Sequence, residues 1–256
     1  MVERVPVTVP TRAEAGTTNA YLVGTDPSVL VDPAAPTEAL DDAITKRSVE
    51  HLVVTHTHED HVGAVARYAA DATVWARAGY EDRFREATGV DPDASLREGT
   101  VVATTDEGEV RVVDTPGHAP DHVALSVGGS LLVGDLVVAE GSVVVGSDEG
   151  DLRSYLTSLR RLYARNPDRL YPGHGPVIED ARPEIHRLVR HRLGREQRIL
   201  VAVHAGARTV EEVVDGVYDK DITGVRDLAR STVEAHLAKL AVEGRVRWDG
   251  ERARPP

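Results

Sequence analysis

Seven residues constrain this chain more than any others: Thr55-His56-Thr57-His58-Glu59-Asp60-His61 set three imidazoles and two carboxylates directly behind the apolar run His51-Leu52-Val53-Val54. A strand that ends where His, His, Asp and His begin holds its donors on a loop fixed by a rigid element. Neutral imidazole with carboxylate is the donor set that suits zinc and its neighbours. A polar surface loop that happens to be rich in His is the plainer alternative, but burying so many titratable groups without an ion would leave them unpaired at about 1–3 kcal/mol each.

The chain then supplies further donors in the same style. Thr115-Pro116-Gly117-His118 follows the strand-like run 110–113, Gly134-Asp135 follows 131–133, and Tyr171-Pro172-Gly173-His174-Gly175 continues from the short Leu170-Tyr171. Each of these is weak evidence alone; in this order, behind the His-rich loop, they resemble the metallo-beta-lactamase-fold hydrolase superfamily. The resemblance implies an α+β fold, a four-layer αβ/βα sandwich with two sheets face to face and helices outside. It implies a first metal position at His56, His58 and His118, a second at Asp60, His61 and His174, and Asp135 bridging the two. The cofactors expected are two divalent ions, zinc or else iron or manganese in the same ligands. Two such ions about 3.5–4 Å apart share a hydroxide and hold attacking and leaving oxygens together. Asp60 and Asp135 are then the catalytic carboxylates. Ala119-Pro120-Asp121-His122 departs from the superfamily's commoner loop; His122 is expected either to reach the substrate as a donor or proton shuttle, or to be hydrogen-bonded within its loop.

Around these motifs the pattern alternates. Strands are expected at 5–9, 21–23, 29–31, 72–75, 101–104, 110–113, 123–127 and 131–133, with hairpin turns at Asp106-Glu107-Gly108-Glu109 and Gly128-Gly129. The stretch from Thr37 to Lys46 reads as a helix capped by Thr37, Val62, Val65, Ala66 and Ala69 recur at helical spacing, Gly79 to Ala87 reads as another helix, and Thr88 to Leu96 as a connection. Asp151 to Asn166 makes an amphipathic helix with Leu152, Tyr155, Leu156, Leu159, Leu162 and Tyr163 on one side. From 152 to 194 there are 9 Arg against 4 acidic residues, a local surplus of cations that suits either a solvated helix face or contact with a phosphate-bearing substrate.

From about Arg195 the pattern changes, so residues 1–194 are expected to form the catalytic domain and 195–256 a small winged-helix-like domain. The latter holds a helix through Ile199, Leu200 and Val203, a capping-box spacing at Thr209-Val210-Glu211-Glu212, a helix from Arg226 to Val242, and a hairpin over Gly244 to Gly250. Ser231 to Leu240, Glu243 to Val246, Tyr171 to Ile178 and Arg195 to Leu200 are similar to the branch of beta-lactamase-like proteins with a C-terminal winged-helix-like domain, which includes a mitochondrial single-strand endoribonuclease.

Composition decides less than the motifs. Cysteine is absent, which excludes disulfides, thiolate ligands and a cysteine nucleophile. The first residues lack a basic and apolar leader and no run approaches the roughly 20 apolar residues of a membrane span, so a cytoplasmic protein is expected. The net charge of −12 falls wholly on 1–194, since 195–256 holds 11 basic and 11 acidic residues. Only 3 of the 30 basic residues are lysines, a balance similar to that of proteins from salt-rich cytoplasm and equally to the product of a GC-rich genome. Near molar salt the Debye length is about 3 Å and substrate selection would rest on direct contacts. Three readings of function follow: a hydrolase of single-stranded RNA, a hydrolase of a small ester or thioester of the glyoxalase II type, and a nucleic-acid-binding regulator with a ligand-sensing metal domain. In the helix from Arg226 to Val242, Arg226, Arg230 and Lys239 are balanced by Asp227, Glu234 and the adjoining Glu243, which argues against the last. The C-terminal module serves equally as a lid or as a contact with a second copy of the chain.

Overall fold

The computed structural model describes residues 2–13, 16–218 and 222–256. Its contacts divide the chain into two compact units, one of Met1–Thr115, Asp121–Val143 and Arg165–Glu184, the other of Pro116–Pro120, Val144–Ala164 and Ile185–Pro256.

The first unit is built on two sheets. Strands β1 (Val2–Thr8), β2 (Thr17–Val23), β3 (Ser28–Val31), β4 (Val49–Val53), β5 (Thr73–Arg77) and β6 (Ala94–Leu96) form the first in sequence order. The pairs β1/β2 and β2/β3 are antiparallel, and β3/β4, β4/β5 and β5/β6 are parallel. Parallel strands need crossovers, which here run through α1 (Glu38–Ile44), α2 (Glu59–Val62), α3 (Val65–Tyr68) and α4 (Glu81–Thr88). Successive side chains of a strand face opposite sides, and that alternation sorts the apolar runs: Leu22, Leu30 and Leu52 join Leu40, Val62, Val65 and Phe84 of the helices, whereas Tyr21, Val23, Val29, Val31 and Val53 face the second sheet. Strands buried on both faces must be apolar throughout, which is why the sequence reads Tyr-Leu-Val and Val-Leu-Val there.

The second sheet runs β11-β10-β9-β8-β7, from β7 (Val101–Thr105), β8 (Gly108–Asp114), β9 (Val123–Val127), β10 (Ser130–Gly134) and β11 (Leu170–Pro172). Both expected hairpins are present. Two local expectations change. The helical spacing at 62–69 yields two short helices and a 3-10 turn, because the Ala64 N–H leaves the helical ladder to donate to the Pro33 carbonyl at 2.8 Å. The connection expected up to Leu96 ends in a strand, β6, whose Ala94–Leu96 pair with Trp75–Arg77.

Helix α5 (Leu152–Arg165) buries the apolar stripe expected of it, apart from the half-buried Tyr163. Helix α6 (Ala181–His204) is a single helix of 24 residues that passes through the exposed Gly194. In the second unit it is followed by α7 (Val210–Val217) and α8 (Arg226–Val242), whose core joins Ile199, Val203, Val213, Val214, Val233, Leu237 and Leu240. Thr209 and Glu212 form the reciprocal capping box. The closing hairpin pairs β12 (Arg247–Trp248) with β13 (Ala253–Arg254), further on than expected, because the Asp249 carboxylate draws the turn beyond it, accepting from the N–H groups of Glu251 and Arg252. Among the described residues no helix is long and apolar enough to cross a membrane.

Candidate metal centre

Strand β4 lies between β3 and β5, and its end delivers the His-rich loop where β3 delivers Asp32. The Asp32 carboxylate is 1 % exposed and accepts three contacts: the Thr55 N–H at 2.6 Å on Oδ1, the Thr55 hydroxyl at 2.7 Å on Oδ2, and the His61 ring at 3.0 Å from Nδ1. Asp32 holds φ at 51°, the left-handed region that Asp tolerates better than most residues. A non-glycine residue persists there where its surroundings over-determine it, here through the contacts with Thr55 and His61. Sequence reading passed over it, treating 29–31 as a plain strand; a lone acid closing a fully apolar strand beside the metal loop was the available signal.

The hydrogen bonds fix which nitrogen each imidazole offers. Neutral His61 donates from Nδ1 to Asp32, which leaves its lone pair on Nε2. The Thr55 hydroxyl spends its proton on Asp32 and can only accept from His56 Nδ1, 3.1 Å away, which leaves His56 Nε2 bare as well. His174 Nδ1 donates to the Thr17 carbonyl at 2.8 Å, with the same outcome. Partners of this kind orient metal-binding imidazoles and raise their basicity. The loop of His174 is itself held by Asn19, whose side-chain amide donates to the carbonyls of Pro172 and Gly175, both at 2.9 Å.

The bare nitrogens converge. His56, His61 and Asp135 offer donor atoms that all lie within 4.8 Å of one another, as do Asp60, His61 and His174. His56 Nε2 is 3.0 Å from His58 Nδ1. His174 Nε2 is 3.3 Å from Asp135 Oδ2 and 3.6 Å from Asp60 Oδ2, and Asp60 Oδ2 accepts from the Thr11 hydroxyl at 2.6 Å. His61 Nε2 is buried with no hydrogen bond among the described residues, and faces Asp135 Oδ1 at 3.5 Å. That is the spacing of two donors on one tetrahedral ion, which at bond lengths of about 2.1 Å lie about 3.4 Å apart. Gly173 keeps the space open: a Cβ there would fall 2.5 Å from Asp135 Oδ1 and 2.8 Å from the His61 ring. Donor set, tautomers and spacing therefore fit divalent ions.

The electrostatics agree. Burial opposes charge on His61, yet Asp135 and Asp32 outweigh it and hold its pKa well above the ordinary value. For His174 burial is again the largest influence and again loses, here to Asp135 and to the Thr17 carbonyl, so its pKa is also raised. A pocket that favours a proton on a buried imidazole is one whose carboxylates favour a cation.

Six of the seven expected ligands, His56, His58, Asp60, His61, Asp135 and His174, lie in the first unit. His118 belongs to the stretch Pro116–Pro120 of the second unit, where its Nδ1 donates to the Val144 carbonyl at 2.7 Å. His122 stands apart from the substrate-facing donor expected of it. Its ring is 1 % exposed, its Nε2 accepts from the Asp135 N–H at 3.1 Å, and its Nδ1 therefore donates to the Thr115 hydroxyl at 2.8 Å. It braces the backbone of Asp135, the second of the two places the sequence left open. Asp121 is turned inward too, accepting from the Thr57 hydroxyl at 2.7 Å, and Arg83 Nε donates to the same hydroxyl at 2.7 Å. Arg83 and Asp32 are the groups that sequence reading missed.

Residues 13–174 match the model of the metallo-beta-lactamase superfamily, and residues 209–254 that of the beta-lactamase associated winged helix domain. The chain is 32 % identical over 241 residues to the beta-lactamase-like protein 2 homolog of Caenorhabditis elegans, covering 90 % of this chain and 80 % of that one. Among solved structures, a metallo-beta-lactamase family protein from Thermus thermophilus superposes with a TM-score of 0.79 over 100 % of this chain and 98 % of its own; at 24 % identity it speaks for the fold alone. A protein solved in a di-iron-bound form is 31 % identical, with a TM-score of 0.55 over 70 % of this chain and 96 % of its own. With its sandwich of sheets, its His/Asp cluster and its C-terminal winged-helix domain, the chain belongs to the metallo-beta-lactamase superfamily and is one of that superfamily's metal-dependent hydrolases.

Proposed function

We propose that the chain binds two divalent ions and hydrolyses a phosphodiester of single-stranded RNA. The observation that carries the metal reading is the set of three buried imidazoles whose Nδ1 atoms are committed to Asp32, Thr55 and Thr17, with Nε2 of His61 and His174 turned towards carboxylates and that of His56 towards His58. His56 and His58, with His118, would hold one ion, and Asp60, His61 and His174 the other, with Asp135 available to both. The sequence tethers His118 three residues from both Thr115 and Asp121, so its Cα stays within about 11 Å of each. Zinc fits this set, and iron is supported by the di-iron form of the relative described above. When bound, such ions acidify a shared water to a pKa near 7 and offset charge on the scissile group.

The protein's own groups do the rest. Asp60 and Asp135 supply the negative charge that lets two dications sit together, Asp32 keeps His61 in one tautomer, and His122 fixes the backbone that presents Asp135. Functionally we assign residues 1–194 to catalysis and 195–256 to the winged module, in line with the model match at 209–254. The RNA reading is supported by Arg153 and Arg160 of α5 and Arg187 and Arg190 of α6, all exposed, on helices that meet through Tyr163 and His186, whose ring centroids are 6.2 Å apart. Two further arginines of this stretch are committed within the first unit, Arg165 to Glu98 and Arg169 to Glu179.

A small thioester or ester is the second reading, favoured by the net charge of −12 and an aromatic content of 4 %, since single-strand binding usually draws on stacking rings and a basic groove. One assay separates the two. The metal-loaded protein is offered single-stranded RNA and a panel of thioesters and lactones at low and near-molar salt, with His58→Ala as control. RNA cleavage lost in the variant supports the first reading, and turnover of a small ester alone replaces it with the second.

A further inference from the structure

The winged-helix domain has no part in the chemistry assigned so far, yet the second unit alone holds a chain of contacts from its helix α8 to a proposed metal ligand. His118 donates from Nδ1 to the Val144 carbonyl at 2.7 Å. Three residues on, the Ser147 N–H donates to the Ser231 hydroxyl at 2.9 Å, and the Ser147 hydroxyl donates to the Glu234 carboxylate at 2.7 Å. Ser231 and Glu234 lie one turn apart on α8, on the same face of the helix. The approach is close: a Cβ on Gly146 would fall 2.4 Å from the Ser231 hydroxyl. The stretch that carries His118 has two more holds in this unit, the Asp151 N–H donating to the Gly117 carbonyl at 2.9 Å and the Ser158 hydroxyl donating to the Pro116 carbonyl at 2.8 Å.

The carbonyl that receives Nδ1 decides the tautomer and the aim of the His118 ring, and the segment bearing that carbonyl is moored to α8. We propose that Ser231 and Glu234 are positioning residues for His118, acting through residues 144–147, so that the winged-helix domain sets the affinity of one metal position. The inference rests on the reading of His118 as a metal ligand. Removing the direct partner of a metal-bound His costs about 10–100-fold in affinity; one contact further away, an effect of about tenfold is expected.

The test uses the full chain and follows binding of Zn2+ and Co2+ by chelator competition, with the visible spectrum of the cobalt form and circular dichroism as a check of fold. The double variant Ser231→Ala, Glu234→Ala is expected to bind one ion about tenfold more weakly and the other within twofold of the original, and to alter the cobalt spectrum. Adding back the acceptor in Ser231→Ala, Glu234→Gln is expected to recover part of the loss. Ser147→Ala, at an exposed position, is expected to show the same change at smaller size. His118→Ala keeps the two ideas apart. If that variant still binds two ions as before, the metal reading fails. If it binds one while the folded double variant and Ser147→Ala retain both affinities, the positioning role is overturned and the metal reading stands. Equal loss of both affinities in the double variant overturns it as well.

Discussion

Each unit buries histidines, and the two groups behave in opposite ways. In the first unit His61 and His174 lie among Asp32, Asp60 and Asp135, and both have raised pKa values despite burial. In the second, His236 is fully buried and pushed down to about 2, first by burial and then by Arg192, Arg195 and Lys239; His191 is pushed down to about 4 by burial, Arg195 and Arg192. Burial alone acts in the same direction on all four. The sign of the neighbouring charge decides which favour a positive charge and which stay neutral. The hydrogen bonds follow suit, for His61 and His174 each commit Nδ1 to a fixed acceptor, whereas neither nitrogen of His236 has a partner among the described residues.

The comparison can be broken most severely at Asp135. Asp135→Ala removes the carboxylate that both His61 and His174 face, and hydrolysis should fall by about a thousandfold, the upper range for loss of one electrostatic group at the reacting atoms. The melting temperature should move by less than about 4 °C; full turnover in the purified variant would remove the metal assignment. Glu196→Ala makes the opposite cluster still more cationic. Glu196 is 4 % exposed and accepts from Lys239 at 2.6 Å and Arg245 at 2.9 Å. Lys239 would then keep Glu243 alone, at 2.9 Å, and losing the better buried partner should cost about 1.5–3 kcal/mol in urea unfolding; a loss below about 1 kcal/mol, on the order of a surface pair, would show that the second cluster tolerates charge after all.

Asp32→Asn sharpens the comparison by subtracting one anion without removing a ligand. Metal affinity should drop by about 10–100-fold, checked by chelator competition, and an unchanged affinity would mean that Thr55 alone orients the loop. Acid tests the second cluster. The unfolded chain takes a proton on His236 near pH 6.5 and the folded unit only near 2, so this contribution to stability is complete above 6.5 and drains away as pH falls towards 2. Between pH 7 and 5 the loss is about 2 kcal/mol. His236→Leu should flatten that slope, and equal slopes in the two proteins would contradict the neutral reading.

What the sequence made legible was local. The His-rich loop, the caps at Thr37 and Thr209, the Gly128-Gly129 turn and the limits of α8 all depend on neighbours within a few residues, and each is found where expected. The seven candidate ligands could be named because the order of four motifs is a family signature, which spacing by itself would not supply. Roles set by distant partners were not. Asp32 becomes an anchor only because Thr55 and His61 meet it from 23 and 29 residues away. His122 meets the Asp135 N–H because β9 and β10 pair. The arginines of 152–194 read as one basic face, yet Arg192 is 1 % exposed with its guanidinium 5.2 Å from the centre of the Tyr155 ring.

Asp32 also says how this protein would answer to selection for heat resistance. Its left-handed backbone is a strain that glycine would relieve, yet glycine would also take the buried acceptor away from the Thr55 N–H, the Thr55 hydroxyl and the His61 ring, at about 1–3 kcal/mol each. A screen scoring only survival at high temperature would therefore hold on to Asp32 as firmly as one scoring turnover. Stability and catalysis pull the same way at this one backbone angle, and laboratory lineages kept under either demand should leave residue 32 untouched and find their gains elsewhere.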